Sequence, residues 1–483
     1  MARKAAINLD ALTALGAGKL AKLVLDETER DAGFRKLVSA ALAGTKGPEA
    51  VASLVDRRLG GLERARGFIE WDKAKTFAAD LDMTIKTIVD ELGPADAAAA
   101  VDRLIRFVAT HRAVFERVDD SSGRVQNLYQ DAIAAMRPLV GAMAEADRSQ
   151  LPNKIASALA NETHGYMADV VKAVVGDIPE AARASWDAGL AAQQVSLCDQ
   201  RDAKRDWDRD TRLSGIVATR QAIAEARGDL DGFIALEETK QPHVQETMGI
   251  AERLLAAGRG EEALIWVRRK SGRRIGYISH ADLADRAEIR DLRGGARVTL
   301  EARILEKLGD KAAARALLWA AFESTLDAEM LRQHVRTLDD FDEFDVLDRA
   351  FDHVSSATDV YRALVFFIAW PRLDRAARLV VDRRDKWDGR HYQLLAPATA
   401  ALEPDHPAAA AILYRALLSD ILARAKAQAY GHGARYLAKL DQLAGAFDAA
   451  SIAGMDGHAS YRAALTKAHG RKSAFWTQVH AKR

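Results

Sequence analysis

The chain contains a single cysteine, Cys198, among 483 residues. No intramolecular disulfide can form, and no Cys-based zinc finger or Cys-x-x-Cys redox pair can be assembled. One cysteine suits a reducing compartment, so a cytoplasmic, bacterial-type protein is expected. Long apolar runs are missing too. No stretch of ~18 apolar residues occurs, so neither a membrane-spanning helix nor a membrane partner is expected. The opening MARKAAINLDALTALGAGKL (1–20) has no long apolar core and no cleavage site, so it does not read as a secretory leader. Charge of one sign is also lacking. Lys+Arg 70 against Asp+Glu 69 leaves a formal +1, so only a local patch could draw the chain to nucleic acid. Prolines number 10, widely spaced, which predicts long helices with breaks between them.

Strand signals are scarce as well. Alternating Val/Ile/Thr runs bounded by Asn-Gly or Asp-Gly turns are nearly absent, while the strong helix formers Ala, Leu, Arg, Glu and Lys are abundant. The expected fold is all-α. Val101, Leu104, Ile105, Val108, Phe115 and Val118 mostly keep the 3–4 spacing of one apolar helix face, and Val125, Leu128, Tyr129, Ala132 and Met136 repeat it. Between them lies DDSSG (119–123), the corner of a helix–corner–helix unit.

A second pattern marks the later part of the chain. Gly258 and Gly309 each follow an apolar helical stretch and precede an alanine-rich one, and Gly228 opens a similar turn. PRLDRA (371–376) and EPDHPA (403–408) are weaker relatives. These corners start at residues 228, 258, 309, 371 and 403, and two of the spacings, 30 and 32, lie near the ~34-residue tetratricopeptide period. Glycine supplies the left-handed cap that ends a helix, and alanine lets paired helices approach closely. One such hairpin cannot bury its apolar face alone, so an α-solenoid of stacked hairpins is expected, tetratricopeptide-like in the C-terminal half. The expected division is an N-terminal helical region, 1–200, and a repeat region, 201–483. The charge-dense DQRDAKRDWDRDTR (199–212) marks the boundary.

Six stretches carry a family resemblance: 9–42 (LDALTALGAGKLAKLVLDETERDAGFRKLVSAAL), 115–129 (FERVDDSSGRVQNLY), 226–240, 251–267, 301–319 and 406–422. Together they resemble an uncharacterised family of bacterial helical proteins, a domain of unknown function, over nearly the whole chain. The C-terminal half is also similar to the helical array that accompanies SWIM-type zinc fingers. The Cys-x-Cys…Cys-x-His ligands of that finger are absent, so zinc binding does not carry over. The resemblance implies an architecture and no activity.

Several local motifs invite chemistry. In the DDSSG corner, Asp119, Asp120, Ser121 and Arg124 read first as helix capping, because Ser and Asp accept hydrogen bonds from the free N–H groups of a helix start. A cation or partner site is the second reading, and a phosphate site the third, opposed by the two carboxylates. LGAGKL (15–20) imitates a phosphate loop, but the first glycine position falls on Thr13 and Leu20 replaces the hydroxyl residue, so it reads as a helix or a break in one. LDDFDEFDVLD (338–348) lacks a calcium-loop glycine and reads as an amphipathic helix start with acids in its first turn. WVRRKSGRRIGY (266–277) is the best basic patch. Arg268, Arg269, Lys270, Arg273 and Arg274, flanked by Trp266 and Tyr277, make a candidate nucleic-acid patch, weighed against a solvated loop.

Neither HExxH nor GxSxG occurs, and His458 and His469 read as surface or helix-face residues. Trp71, Trp266, Trp319 and Trp370 sit on apolar patterns and are expected in the core. No catalytic residue, cofactor or metal is assigned. The expected function is a non-catalytic scaffold that binds a partner protein's peptide or helix in a solenoid groove. The alternative is a nucleic-acid-associated protein using residues 268–274.

Overall fold

The computed structural model describes residues 8–160, 165–199, 207–269, 294–338, 342–449, 452 and 454–481. The fold is all-α. The described residues form helices and no strand, apart from an isolated parallel bridge between Ile69 and Val118. No described helix is long and apolar enough to cross a membrane.

Aspartates start many of these helices. Asp31, Asp96, Asp229, Asp310, Asp327 and Asp359 each accept a hydrogen bond from a backbone N–H in the first turn of the helix that follows. Each replaces water for a donor that has no partner inside the helix. Prolines behave less simply than their sparsity predicts. Pro48 and Pro407 begin helices, but Pro138, Pro152 and Pro397 lie inside them. Pro152 is buried, so its ring packs against the core where an N–H has been given up.

The chain divides into two compact units, Met1–Gln245 and Glu246–Arg483. The division lies well past the expected boundary at 200. The helix Trp207–Ala226 packs on Tyr166–Val174, Glu180–Asp199 and Leu230–Glu238, which ties it to the first unit. Residues 200–206 of the charge-dense stretch lie outside the described residues, and the helices on either side of it, Glu180–Asp199 and Trp207–Ala226, pack on each other.

The core of the first unit is built around Ala97–Ala109, which packs against Pro48–Arg64, Arg124–Ala142 and Glu145–Ala158. Phe107, fully buried, lies 4.8 Å from the Tyr129 ring, and Phe115 and Tyr166 complete the aromatic cluster. The Tyr129 and Thr110 hydroxyls meet at 2.8 Å, so the buried phenol is satisfied. The apolar stripe from Val101 to Val118 is not one helix. It breaks at Thr110, resumes as His111–Phe115, and ends at Val118 in the bridge to Ile69. The helix Trp71–Lys86 runs on into a π-helical turn, Thr87–Leu92, closed by Gly93 N–H to Ile88 O at 2.9 Å. A Cβ on Gly93 would lie 2.5 Å from Val89 O, so that turn needs glycine.

In the second unit most of the described helices pack mainly on helices one or two places away among them, a nearest-neighbour pattern. Its corners share one geometry with the last corner of the first unit. Gly228, Gly258 and Gly309 have φ of +68°, +78° and +85°. The next residue's N–H reaches back five positions each time: Asp229 to Ala224, Arg259 to Leu254 and Asp310 to Leu305, all at 2.9 Å. This is the Schellman cap, and it satisfies carbonyls that the helix leaves open. The same reach recurs from Arg372 to Phe367 (2.9 Å), and from Lys426 to Ile421 (3.1 Å) past an alanine, Ala425, at φ +50°. EPDHPA turns differently, with His406 N–H on Leu402 O at 2.8 Å. Ala251, Ala263, Ala302, Ala314 and Ala376 are buried at the helix contacts. A Cβ on Gly260 would come 2.8 Å from Leu308, so neighbouring hairpins touch at that glycine.

Candidate functional site

The DDSSG corner spends both carboxylates on its own backbone. Asp120 accepts from the amides of Val125 (3.1 Å) and Gln126 (2.9 Å), capping Arg124–Ala142 from a corner held left-handed at Gly123. Asp119 accepts from the Ser121 hydroxyl and from its amide (3.2 Å). Those bonds, the hydroxyl's first, hold its carboxyl below the usual carboxylate range. Arg124 is exposed on the first turn. Asp120 therefore caps the helix that follows, while Asp119 closes a local turn with Ser121. Among the described residues no three His, Cys, Asp or Glu side chains gather as a metal-binding group.

The basic patch is partly engaged. Arg268 Nε donates to Glu301 Oε1 at 2.6 Å. The Arg269 guanidinium lies 3.6 Å from the centre of the Trp266 ring, a cation–π contact. Trp266 is only 4% exposed, so its face serves the fold and is not offered to a base. Lys270, Arg273, Arg274 and Tyr277 lie outside the described residues. Trp319 and Trp370 pack against the core as expected, but Trp71 is 67% exposed, as is much of the neighbouring Phe68. Trp71 opens its helix, where the inward face has only begun, and Ala74, Ala78 and Leu81 fill the core instead. LGAGKL is a break, with Gly16 between Leu9–Thr13 and Ala17–Arg30. The acidic stretch continues as Glu343–Ser356 with Glu343 and Asp345 in its first turn; residues 339–341 lie outside the described set. His458 begins a helix and meets Asp441 at 2.7 Å, beside Arg462.

A cleft opens elsewhere among the described residues, between the helices Thr247–Ala256 and Gly294–Lys307 of the second unit. This cleft of ≈ 680 Å³ is lined by Glu252, Leu255, Ala256, Arg303, Glu306 and Lys307. Ile250, Ala251 and Leu254 on one helix and Ala302, Ile304 and Leu305 on the other are buried, which turns the lining residues outward. Glu252, Arg303, Glu306 and Lys307 are exposed, and none of the four forms an ion pair among the described residues. The cleft thus offers an apolar strip from Leu255 and Ala256 between charges of both signs.

The lining has an internal symmetry. Glu252 and Arg303 each stand six residues before their corner glycine, Leu255 and Glu306 three before, and Ala256 and Lys307 two before. Equivalent positions of two hairpins therefore form the two walls. Aligning the two corners by their glycines would have revealed this in the sequence. What concealed it was chemistry, since an acid faces a base and a leucine faces an acid at equivalent positions.

Titratable groups displaced by their surroundings lie away from this cleft. Burial pushes the Tyr461 hydroxyl up to about 12, next to the Arg415 guanidinium. The hydrogen bond from Arg372 draws Asp374 down to about 2. Both pairs brace local structure. A smaller cleft of ≈ 280 Å³ in the first unit is lined in part by Asp187, Gln194 and Arg220, with Arg220 donating to both of the others.

Fold and cleft together describe an all-α protein built from capped helical hairpins with an open, charge-lined groove. The chain belongs to a family of unknown function, DUF6880, whose match spans residues 2–478. No curated protein and no solved structure matches it.

Proposed function

We propose that this protein is a non-catalytic scaffold whose tetratricopeptide-like hairpins bind a peptide or helix of a partner protein in the Glu252–Lys307 cleft, acting in the cytoplasm. The observation that carries this reading is the pairing of equivalent repeat positions across the cleft. In stacked hairpins, equivalent residues of successive first helices line up on one face, and that face is the usual groove for partner segments. Leu255 and Ala256 suit an apolar anchor. The uncommitted Glu252, Arg303, Glu306 and Lys307 suit a segment with charges of both signs, which sets register and selectivity more than raw affinity. The likeness of the C-terminal half to the arrays accompanying SWIM-type zinc fingers fits the same role.

The test is a pull-down with the tagged full-length chain from native host lysate, run with and without nuclease, beside the double variant Arg303→Glu/Lys307→Glu. A specific protein should survive nuclease on the native chain and fall about tenfold or more on the variant. An eluate that the variant leaves unchanged would sink the cleft reading. Proteins lost with nuclease treatment would instead favour a nucleic-acid role for the 268–274 patch.

A further inference from the structure

We propose that the exposed face of the helix Ala17–Arg30 pairs antiparallel with the same helix of a second copy of this chain. This surface lies in the first unit and is independent of the cleft. The helix has no buried residue. Leu20, Val24 and Thr28, one turn apart, are half-buried, and Ala32–Gly44 packs on this helix. The opposite side carries Lys19, Lys22, Asp26 and Glu29, whose spacing of three, four and three residues makes a single stripe. All four are exposed, and none is ion-paired among the described residues. Leu23 and Leu25 flank the stripe, 49% and 64% exposed.

Two features of the stripe point to a second copy. The first is its symmetry about Val24: Lys22 and Asp26 stand two residues to either side, Lys19 and Glu29 five. In a two-fold antiparallel pair, a residue faces the one equally far beyond the centre. Each lysine then faces an acid of the other copy, Lys22 opposite Asp26 and Lys19 opposite Glu29, and each pair occurs twice. A parallel pairing would set like charges together. The leucines next to the centre close the two edges of the seam.

The second feature is polarity. A helix prefers acids near its N-terminus and bases near its C-terminus. Here Lys19 lies in the first turn with no acid beside it, and the last turn holds two acids, Glu27 and Glu29, against one base, Arg30. That order opposes the helix's own dipole. Beside an antiparallel copy it becomes favourable, because each lysine end lies next to the partner's C-terminus and each acidic end next to the partner's N-terminus.

Sedimentation velocity of the full-length chain over a range of concentrations tests this. The native chain should dimerise, more weakly at high salt. Lys22→Glu sets carboxylates against each other twice and should weaken the dimer about tenfold or more. Asp26→Lys should do the same. The double variant K22E/D26K should recover the native affinity, and an equimolar mixture of the two single variants should form a heterodimer. Circular dichroism checks that the exposed substitutions leave the helices intact. A native chain that stays monomeric throughout would overturn the proposal. So would a Lys22→Glu chain that dimerises as before, or a double variant that fails to recover.

Discussion

The two units are made from the same kind of helix but hold together differently. In the first, Ala97–Ala109 is surrounded by helices drawn from well before and well after it in sequence, and a cluster of aromatic rings lies at the centre. In the second, helices touch mainly their sequence neighbours, and the repeated element is the corner. A shared centre makes stability collective. A chain of neighbours makes it approach a sum of local interfaces. The second arrangement also leaves equivalent faces open along the array, and there the larger cleft is found.

The sharpest way to break this contrast is to remove one ring from each unit. Phe107→Ala and Phe322→Ala both delete fully buried side chains and should each cost about 3–5 kcal/mol. Hydrogen exchange should separate them. Phe107→Ala should raise exchange across the whole first-unit core, from Pro48–Arg64 to Tyr166–Val174. Phe322→Ala should raise it mainly from Gly294–Lys307 to Val360–Ala369, leaving Pro407–Ala423 protected. Equal spread through both units would erase the distinction.

Smaller effects should follow at the corners. Gly309→Ala forces a Cβ into φ +85° and should destabilise the second unit by about 1–2 kcal/mol in urea unfolding. Ala425→Gly should move the other way by about 1 kcal/mol, because Ala425 already holds φ +50°. If both substitutions lowered stability, the corners would not share one geometry.

The smallest expected effect is a dependence on pH confined to the second unit. His334 is buried, with Nδ1 3.0 Å from Arg315 O and the ring against Trp319. Burial, aided by the nearby Arg349 and Arg315, holds its pKa below the usual 6.5. The folded chain therefore binds this proton less readily than the unfolded chain. The penalty is absent above pH 6.5 and grows as pH falls below it, until the folded pKa is reached. Thermal unfolding of His334→Gln should lose part of the decline between pH 7 and 5 that the native chain shows. A steeper decline in the variant would refute the assignment.

Much of the fold was legible in the sequence. The 3–4 spacing of apolar residues and the glycine corners depend on residues within a turn or two of each other. The Schellman caps at Gly228, Gly258 and Gly309 fell where the glycines predicted them, and in the DDSSG corner Asp120 accepts from two amides of the next helix. The break at Thr110, the π-helical turn before Gly93 and the exposure of Trp71 were not legible. Each depends on what the surrounding helices cover. The cleft was half-legible. Its positions repeat at fixed distances before Gly258 and Gly309, but Glu252 and Arg303 differ in chemistry, and only packing brings them to facing walls.

By itself, then, the sequence determined helix as the regular structure of the described residues, the places where helices turn, and the charge order along Ala17–Arg30. Those follow from backbone propensity, caps and spacing, which act within a few residues. Tertiary structure alone decided that Trp207–Ala226 joins the first unit, that the units meet in sequence at Gln245 and Glu246, and that six residues from two hairpins share a cleft. Those outcomes rest on contacts between residues far apart in the chain, and such contacts form only where apolar faces find each other in three dimensions.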